Sequence, residues 1–221
     1  MRHFDEIHAI AATRKGGPEA LEMLLSTPLP TDQVAAQPAD RWLSCMAECI
    51  FQAGFNWKVI EAKWPGFEAA FDGFDPIRVG FYHDEDMDRL LSDTGIVRNG
   101  QKIAAVIENA RFLNELTAEH GSAGAFFANW PDADFVGLLE LLSKRGSRLG
   151  GATGQRMLRW MGRNAFVLST DVTARLVAEG VVDKAPSSKR DMAAVQAAFN
   201  TWSAQSGRGL TQISQILAFS V

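Results

Sequence analysis

In the stretch WLSCMAECIFQAG, Trp42, Leu43, Met46, Cys49 and Ile50 recur at intervals of three and four, the spacing that puts side chains on one face of an α-helix. KIAAVIENARFLNEL repeats the pattern with Ile103, Val106, Ile107, Ala110, Leu113 and Leu116. Alternation with period two is nearly absent, so the pattern predicts an all-α fold of about ten to twelve short helices. Start signals agree. Asp75 followed by Pro76 reads as an N-cap with proline at the first helical position, and Ser188 with Asp191 reads as a capping box. The loosest segments, TPLPTDQVAAQPAD at 27–40 and KAPSSK near residue 184, are expected to connect helices. No internal repeat is evident and neither segment demands separately folding domains; a two-lobed helical body with a cleft fits the pattern.

Composition bounds the class. The chain has 221 residues, 47% hydrophobic and 22% charged, as an ordinary globular protein does. Cys45 and Cys49 lie four apart on one helix face, which suits a reducing, cytoplasmic setting rather than a framework of crosslinks. The N-terminal MRHFDEIHAIAATRKGG lacks a long apolar run, and no segment approaches the ~20 apolar residues that span a bilayer. Secretion and membrane insertion are not expected.

Charge changes the picture locally. The chain carries −4 overall, yet Lys144, Arg145, Arg148, Arg156, Arg159 and Arg163 fall between residues 141 and 170 with no Asp or Glu, leaving −10 on the remainder. One basic face on an acidic body suits a partner that presents phosphate on one side; a solvated basic helix end gives the same count. LLELLSKRGS, which runs into this window from residue 138, reads as a helix, RLGGATG as a tight turn and QRMLRWMG as a second helix. Gly150, Gly151 and Gly154 permit backbone amides to converge at the mouth of the second helix, where phosphate binds. A hairpin needing glycine only for its bend fits equally well. Asp171, after the apolar run FVLST, reads most plainly as an N-cap or first-turn carboxylate.

Three segments together resemble a known superfamily. SRLGGATGQRML followed by VLSTDV is similar to the hairpin and catalytic aspartate of the helix-hairpin-helix, endonuclease III-like DNA glycosylases (HhH-GPD). FNTWSAQSGRGLTQ at 199–212 resembles their late helix with its Gly-Arg pair. From QAGFNW through FDP to GIVRNGQKIAAVIENARFL, about sixty residues resemble the bacterial DNA-3-methyladenine glycosylase I family without an evident gap. The resemblance covers most of residues 41–215.

The resemblance implies a base-excision-repair enzyme that flips a damaged, alkylated purine, 3-methyladenine foremost, out of double-stranded DNA and hydrolyses its N-glycosidic bond; a non-catalytic helix-hairpin-helix DNA-binding module and a glycosylase for another damaged or mismatched base are the alternatives. Asp171 takes the place of the carboxylate that stabilises the oxocarbenium-like transition state. The DNA-binding hairpin comprises Arg148, Gly150, Gly151, Thr153, Gly154 and Arg156. Thr153 stands where bifunctional relatives carry a Schiff-base lysine, which implies base removal without strand cleavage. Val97, Arg98 and Asn99 in the loop GIVRNGQ match the intercalating tip, and Gln52 a residue that plugs the vacated space; a buried helix-end glutamine is the rival reading of Gln52. Trp57 matches the tryptophan of the QAG-x-x-W pattern and heads the base-pocket candidates, with Phe55, Trp42 and Tyr82 behind it. The resemblance implies a central lobe near 41–160, holding wedge loop 95–101 and hairpin 146–154, and a second lobe from 1–40 and 165–221, in a monomer.

The chain departs from the family in two places. The glutamate expected shortly before QAG is Cys49 here, with Glu48 adjacent and about 100° away around a helix, so Glu48 enters the pocket set with its substrate reading open. The paired Cys and His residues of the family's zinc site are missing, as are iron-sulfur cysteines. No zinc, no cluster and no other metal is therefore expected; only a monovalent cation on the hairpin carbonyls remains compatible.

Overall fold

A computed structural model describes all 221 residues. It is all-α, with fourteen helices and two short 3-10 turns at Asp72–Phe74 and Asp132–Asp134. In chain order the helices are α1 (Phe4–Lys15), α2 (Pro18–Glu22), α3 (Thr31–Ala35), α4 (Ala39–Gln52), α5 (Trp57–Ala70), α6 (Pro76–Gly80), α7 (Asp84–Ser92), α8 (Gly100–His120), α9 (Ala123–Asn129), α10 (Phe135–Arg145), α11 (Ala152–Trp160), α12 (Thr170–Ala178), α13 (Lys189–Ser206) and α14 (Leu210–Phe219). The count exceeds the expected ten to twelve because α2, α3 and α6 are five-residue helices, too short to show periodicity. Both start signals form as read. Asp75 accepts hydrogen bonds from the amides of Ile77 and Arg78 with Pro76 at the first position, and Ser188 and Asp191 make a reciprocal capping box. The segment 27–40 is not simply a connection: it contains α3 and the start of α4.

The chain divides into two compact units: a central one of residues 30–130 and 139–163, and a terminal one of residues 1–29, 131–138 and 164–221.

In the central unit α8 carries the core. All six residues of its predicted stripe are buried, and α4 buries its own stripe, with Trp42 fully enclosed 4.6 Å from the Phe127 ring. α3 packs on α9 at Gly124, where an added Cβ would lie 2.7 Å from the Ala35 carbonyl oxygen and 2.8 Å from that of Gln37. Side chains of α8 also satisfy distant backbone. Arg111 donates to the carbonyls of Gly80 and Tyr82, and Asn114 to that of Pro76, which fixes the end of α6.

In the terminal unit, α14 supports the extended chain that leads into α12. Thr211 exchanges two hydrogen bonds with the backbone of Ala165, at 3.0 and 3.1 Å, and Ser214 exchanges two with Val167, at 3.1 and 3.2 Å. Two hydroxyls three residues apart thus do for this segment what a neighbouring strand would do. Glu179 is buried here and accepts from the Arg2 amide at 2.8 Å, the Arg2 guanidinium at 2.6 Å and Arg175 at 3.3 Å.

Candidate nucleic-acid interface

The basic window forms a helical hairpin whose turn is shorter than the sequence suggests. α10 ends at Arg145, the loop covers 146–151, and α11 starts at Ala152, so Thr153 and Gly154 lie in its first turn. Arg148 and Gly151 take left-handed conformations, φ +57° and +58°. Left-handed backbone is costly for arginine and cheap for glycine. A Cβ at Gly154 would collide with the Leu149 carbonyl oxygen, so glycine is required there for close approach. No side chain caps α11, and a helix start left in that condition presents its first amides to an acceptor from outside. Asn109, buried on α8, fixes the loop. Its Oδ1 accepts from the Ser147 amide at 2.8 Å and its Nδ2 donates to the Ser147 carbonyl at 2.9 Å.

The six basic residues separate by partner. Lys144 pairs with Glu140, Arg145 with Glu115 and Glu119, and Arg163 donates to the carbonyls of Phe127 and Trp130. Burial pushes Arg159 down to about 10. Arg148, exposed beside the loop, donates to Gln101, and Arg156 pairs with no carboxylate. Half the apparent basic face is thus consumed within the protein. Arg148 and Arg156 are the members that can take a phosphate.

Arg156 instead lies on an aromatic ring. Its guanidinium carbon is 4.5 Å from the centre of Trp57, which meets Trp160 edge-on at 6.0 Å and 86°. Both tryptophans are 42% exposed. At an exposed site such a cation-π contact is worth about 0.5–1 kcal/mol. Trp57 opens α5 and Trp160 closes α11, so the aromatic pair joins the QAGFNW segment directly to the hairpin.

The last turns of α4 carry Glu48 and Gln52. The Gln52 side-chain amide donates to Glu48 at 3.0 Å, while its own oxygen, buried, has no partner. Burial first, and the Glu61 carboxylate second, hold Glu48 above the usual glutamate value. Lys102 closes the end of α4. Its ammonium donates to the carbonyls of Phe51 and Ala53 at 3.0 and 2.8 Å and lies 5.0 Å from the Phe55 ring centre. Burial, then the charge of Arg148, hold it below the ordinary lysine value.

Several expectations need correction. Trp42 is 0% exposed and belongs to the core, as its place on the α4 stripe demands, so it lines no open pocket. Tyr82 is buried too, its hydroxyl donating to Asp72 at 2.7 Å, and burial with Asp72 pushes it up to about 12. Gln52 takes its rival reading: it is 1% exposed within the helix end rather than projecting as a plug. In the wedge loop Asn99 is committed as the N-cap of α8, accepting from the Lys102 amide at 3.1 Å, and Val97 is half-buried. Arg98 is exposed at its tip. Phe55 is exposed, Gly150 lies in the loop, and Asp171 is exposed in the first turn of α12, in the terminal unit, with Ser169 as the N-cap.

Sequence reading missed Asn109, Lys102 and Trp160. Only Trp160 left a signal, four residues after Arg156 on a helix that also carries Arg159. No group of three or more His, Cys, Asp or Glu side chains is placed to hold a metal ion. A cavity of about 450 Å³ lies elsewhere in the central unit, among Asp40, Asp72, Asp75, Ile77, Asn114 and Thr117. Its carboxylates make it unsuited to phosphate.

Comparison with known proteins gives a consistent direction. Residues 40–139 match the family described as methyladenine glycosylase. The chain is similar to the DNA-3-methyladenine glycosylase 1 of Escherichia coli (strain K12), 43% identical over 60 residues, 27% of this chain and 32% of the relative. It is also similar to the DNA-3-methyladenine glycosylase of Haemophilus influenzae, 30% identical over 60 residues with the same coverage. These matches span about a third of the curated relatives' length. Among solved structures, the 3-methyladenine DNA glycosylase I from Staphylococcus aureus superposes with a TM-score of 0.51 at 20% identity, covering 70% of this chain and 90% of that one. The chain shares that fold.

Proposed function

We propose that this protein is a DNA glycosylase of base-excision repair that removes an alkylated purine, 3-methyladenine first among them. The observation that carries the reading is the contact of Trp57 with Trp160 and Arg156. It puts an exposed aromatic face on the helix that opens at an uncapped, glycine-bounded hairpin. A flipped base needs a ring to stack on and an anchored phosphate beside it, and both features belong to one unit. The match over residues 40–139 supports the same class.

The chemistry that follows is hydrolysis. As the N-glycosidic bond breaks, its electron pair leaves with the base, the sugar gains oxocarbenium character, and water attacks the anomeric carbon, losing a proton. Asp171 is assigned the carboxylate that stabilises this charge and orients the water. Its support is the resemblance around VLSTDV and a carboxylate that the protein leaves exposed. Monofunctional action is supported by Thr153 in the hairpin and by Lys102, whose ammonium is held by two carbonyls rather than presented as a nucleophile. The hairpin amides with Arg148 hold the backbone, and Arg98 is the foremost wedge candidate. The protein is proposed to act as a cytoplasmic monomer without zinc or an iron-sulfur cluster.

The test is excision from duplexes carrying a panel of damaged bases. Release of 3-methyladenine is expected, and Asp171→Asn is expected to lose at least ~100-fold in rate while retaining duplex binding. Full activity in that variant would remove Asp171 from the mechanism. Excision of some other base alone would move the substrate.

A further inference from the structure

Arg156 stands between two partners that it cannot hold together. In the free protein its guanidinium covers the Trp57 ring at 4.5 Å, with Trp160 a further 6.0 Å contact. Arg41, Arg145, Arg175 and Arg208 all reach carboxylates; Arg156 does not, so the ring contact is what holds it. It lies five residues along α11 from Gly151. Helical side chains lean toward the N-terminus of their helix, so an arginine one and a half turns along can swing to a phosphate at the uncapped start. A charge-assisted, two-pronged contact with phosphate is stronger than an exposed stack on a ring. A planar base stacked on the covered face of Trp57 would need the space that the guanidinium fills.

We propose that Arg156 is a specificity-determining residue that exchanges Trp57 for a DNA phosphate, so that this ring face becomes available to a base only when a duplex is seated on the hairpin. This rests on the glycosylase reading. The consequence is discrimination against free bases and nucleosides, which bring a ring but no duplex phosphate, and in favour of a base delivered by DNA. Trp160 keeps Trp57 oriented throughout, because its edge-on contact does not involve Arg156.

The experiment measures binding of free 3-methyladenine by calorimetry to the full chain, alone and with a duplex containing a tetrahydrofuran abasic site, which supplies phosphates and leaves the base position vacant. The duplex should tighten binding to the wild type about two- to five-fold, the weight of an exposed cation-π contact. Arg156→Gln should bind the base without duplex as well as the wild type does with it, and gain nothing from the duplex. Arg156→Lys, which keeps a cation, should retain part of the dependence. Equal binding by the wild type with and without duplex, or an undiminished dependence in Arg156→Gln, overturns the exchange. A second readout needs no base: duplex binding should change tryptophan emission in the wild type, and Trp57→Phe should abolish most of that change. An emission change without excision of any base would retain the exchange and reject the glycosylase. Excision without an emission change would do the reverse.

Discussion

Two carboxylates, one in each unit, show how differently this fold treats the same functional group. Glu179, with its side chain 1% exposed, accepts from the amide and guanidinium of Arg2 and from Arg175. Burial raises its pKa, but these hydrogen bonds and charges outweigh it and hold Glu179 below the usual glutamate value. Glu48 has one donor, the Gln52 amide, faces Glu61, and titrates above that value. The first is completed by its own protein and belongs to the frame. The second keeps a carboxylate neighbour and a companion whose oxygen receives no donor from the protein. The number of donors each carboxylate receives, more than its burial, sets the direction of its shift.

The strongest way to break this comparison is to delete both carboxylates. Glu179→Ala leaves the buried Arg175 without its carboxylate, with only Ser220 to accept from it, and is expected to cost about 3 kcal/mol in denaturant unfolding, while Glu48→Gln should fall within about 1 kcal/mol of the wild type. Equal losses would make Glu48 a structural group. A sharper version uses two buried amides of the central unit, Asn109 and Gln52. Asn109→Ala removes both bonds to Ser147 and should cost ~1–3 kcal/mol, with weaker duplex binding because the loop is released. Gln52→Met, similar in shape and without the orphaned oxygen, should cost less than ~1.5 kcal/mol and leave duplex affinity unchanged, since Gln52 makes no bond to the loop.

The smallest effect is in the pH profile. A lowered Glu179 contributes stability that is fully present above its unfolded value, near 4.5, and is lost as pH falls through its folded value below that. A raised Glu48 has the opposite sign: the fold loses stability as pH rises from about 4.5 to the raised value. Replacing Glu48 with Gln should flatten the profile above pH 4.5 and leave its acid limb unchanged. A steeper acid limb in that variant would reverse the assignment.

What could be read in the sequence was whatever repeats or sits at a boundary. The stripes of α4 and α8, the Asp75-Pro76 start, the Ser188-Asp191 box and the glycine bend all depend on neighbours within a few residues. Trp42 and Trp57 show the limit of that reading. Trp42 sits on the apolar stripe, and the stripe foretold its burial; the added notion of a pocket role had no such support. Trp57, outside any stripe, was found through resemblance alone. The residues that escaped notice act at long range: Asn109 reaches Ser147 across 38 positions and Lys102 reaches Phe51 across 51. Polar residues on a buried helix face leave no periodic mark that names a partner so far along the chain. α3 escaped for a related reason, since its five residues are held by α9 rather than by propensity.

The two cysteines of α4 have a use that lies outside the proposed chemistry. Cys49 is buried, and Cys45, whose sulfur lies 3.7 Å from the Met157 carbonyl, is raised well above an ordinary thiol by Cys49 beside it and by burial. Thiolate, the form that reacts with electrophiles, is therefore scarce at Cys45. The chain carries its own pair of chemical clocks: the rate at which a thiol reagent labels Cys45 times the parting of α4 from α11, and labelling of Cys49 times the opening of the helix core.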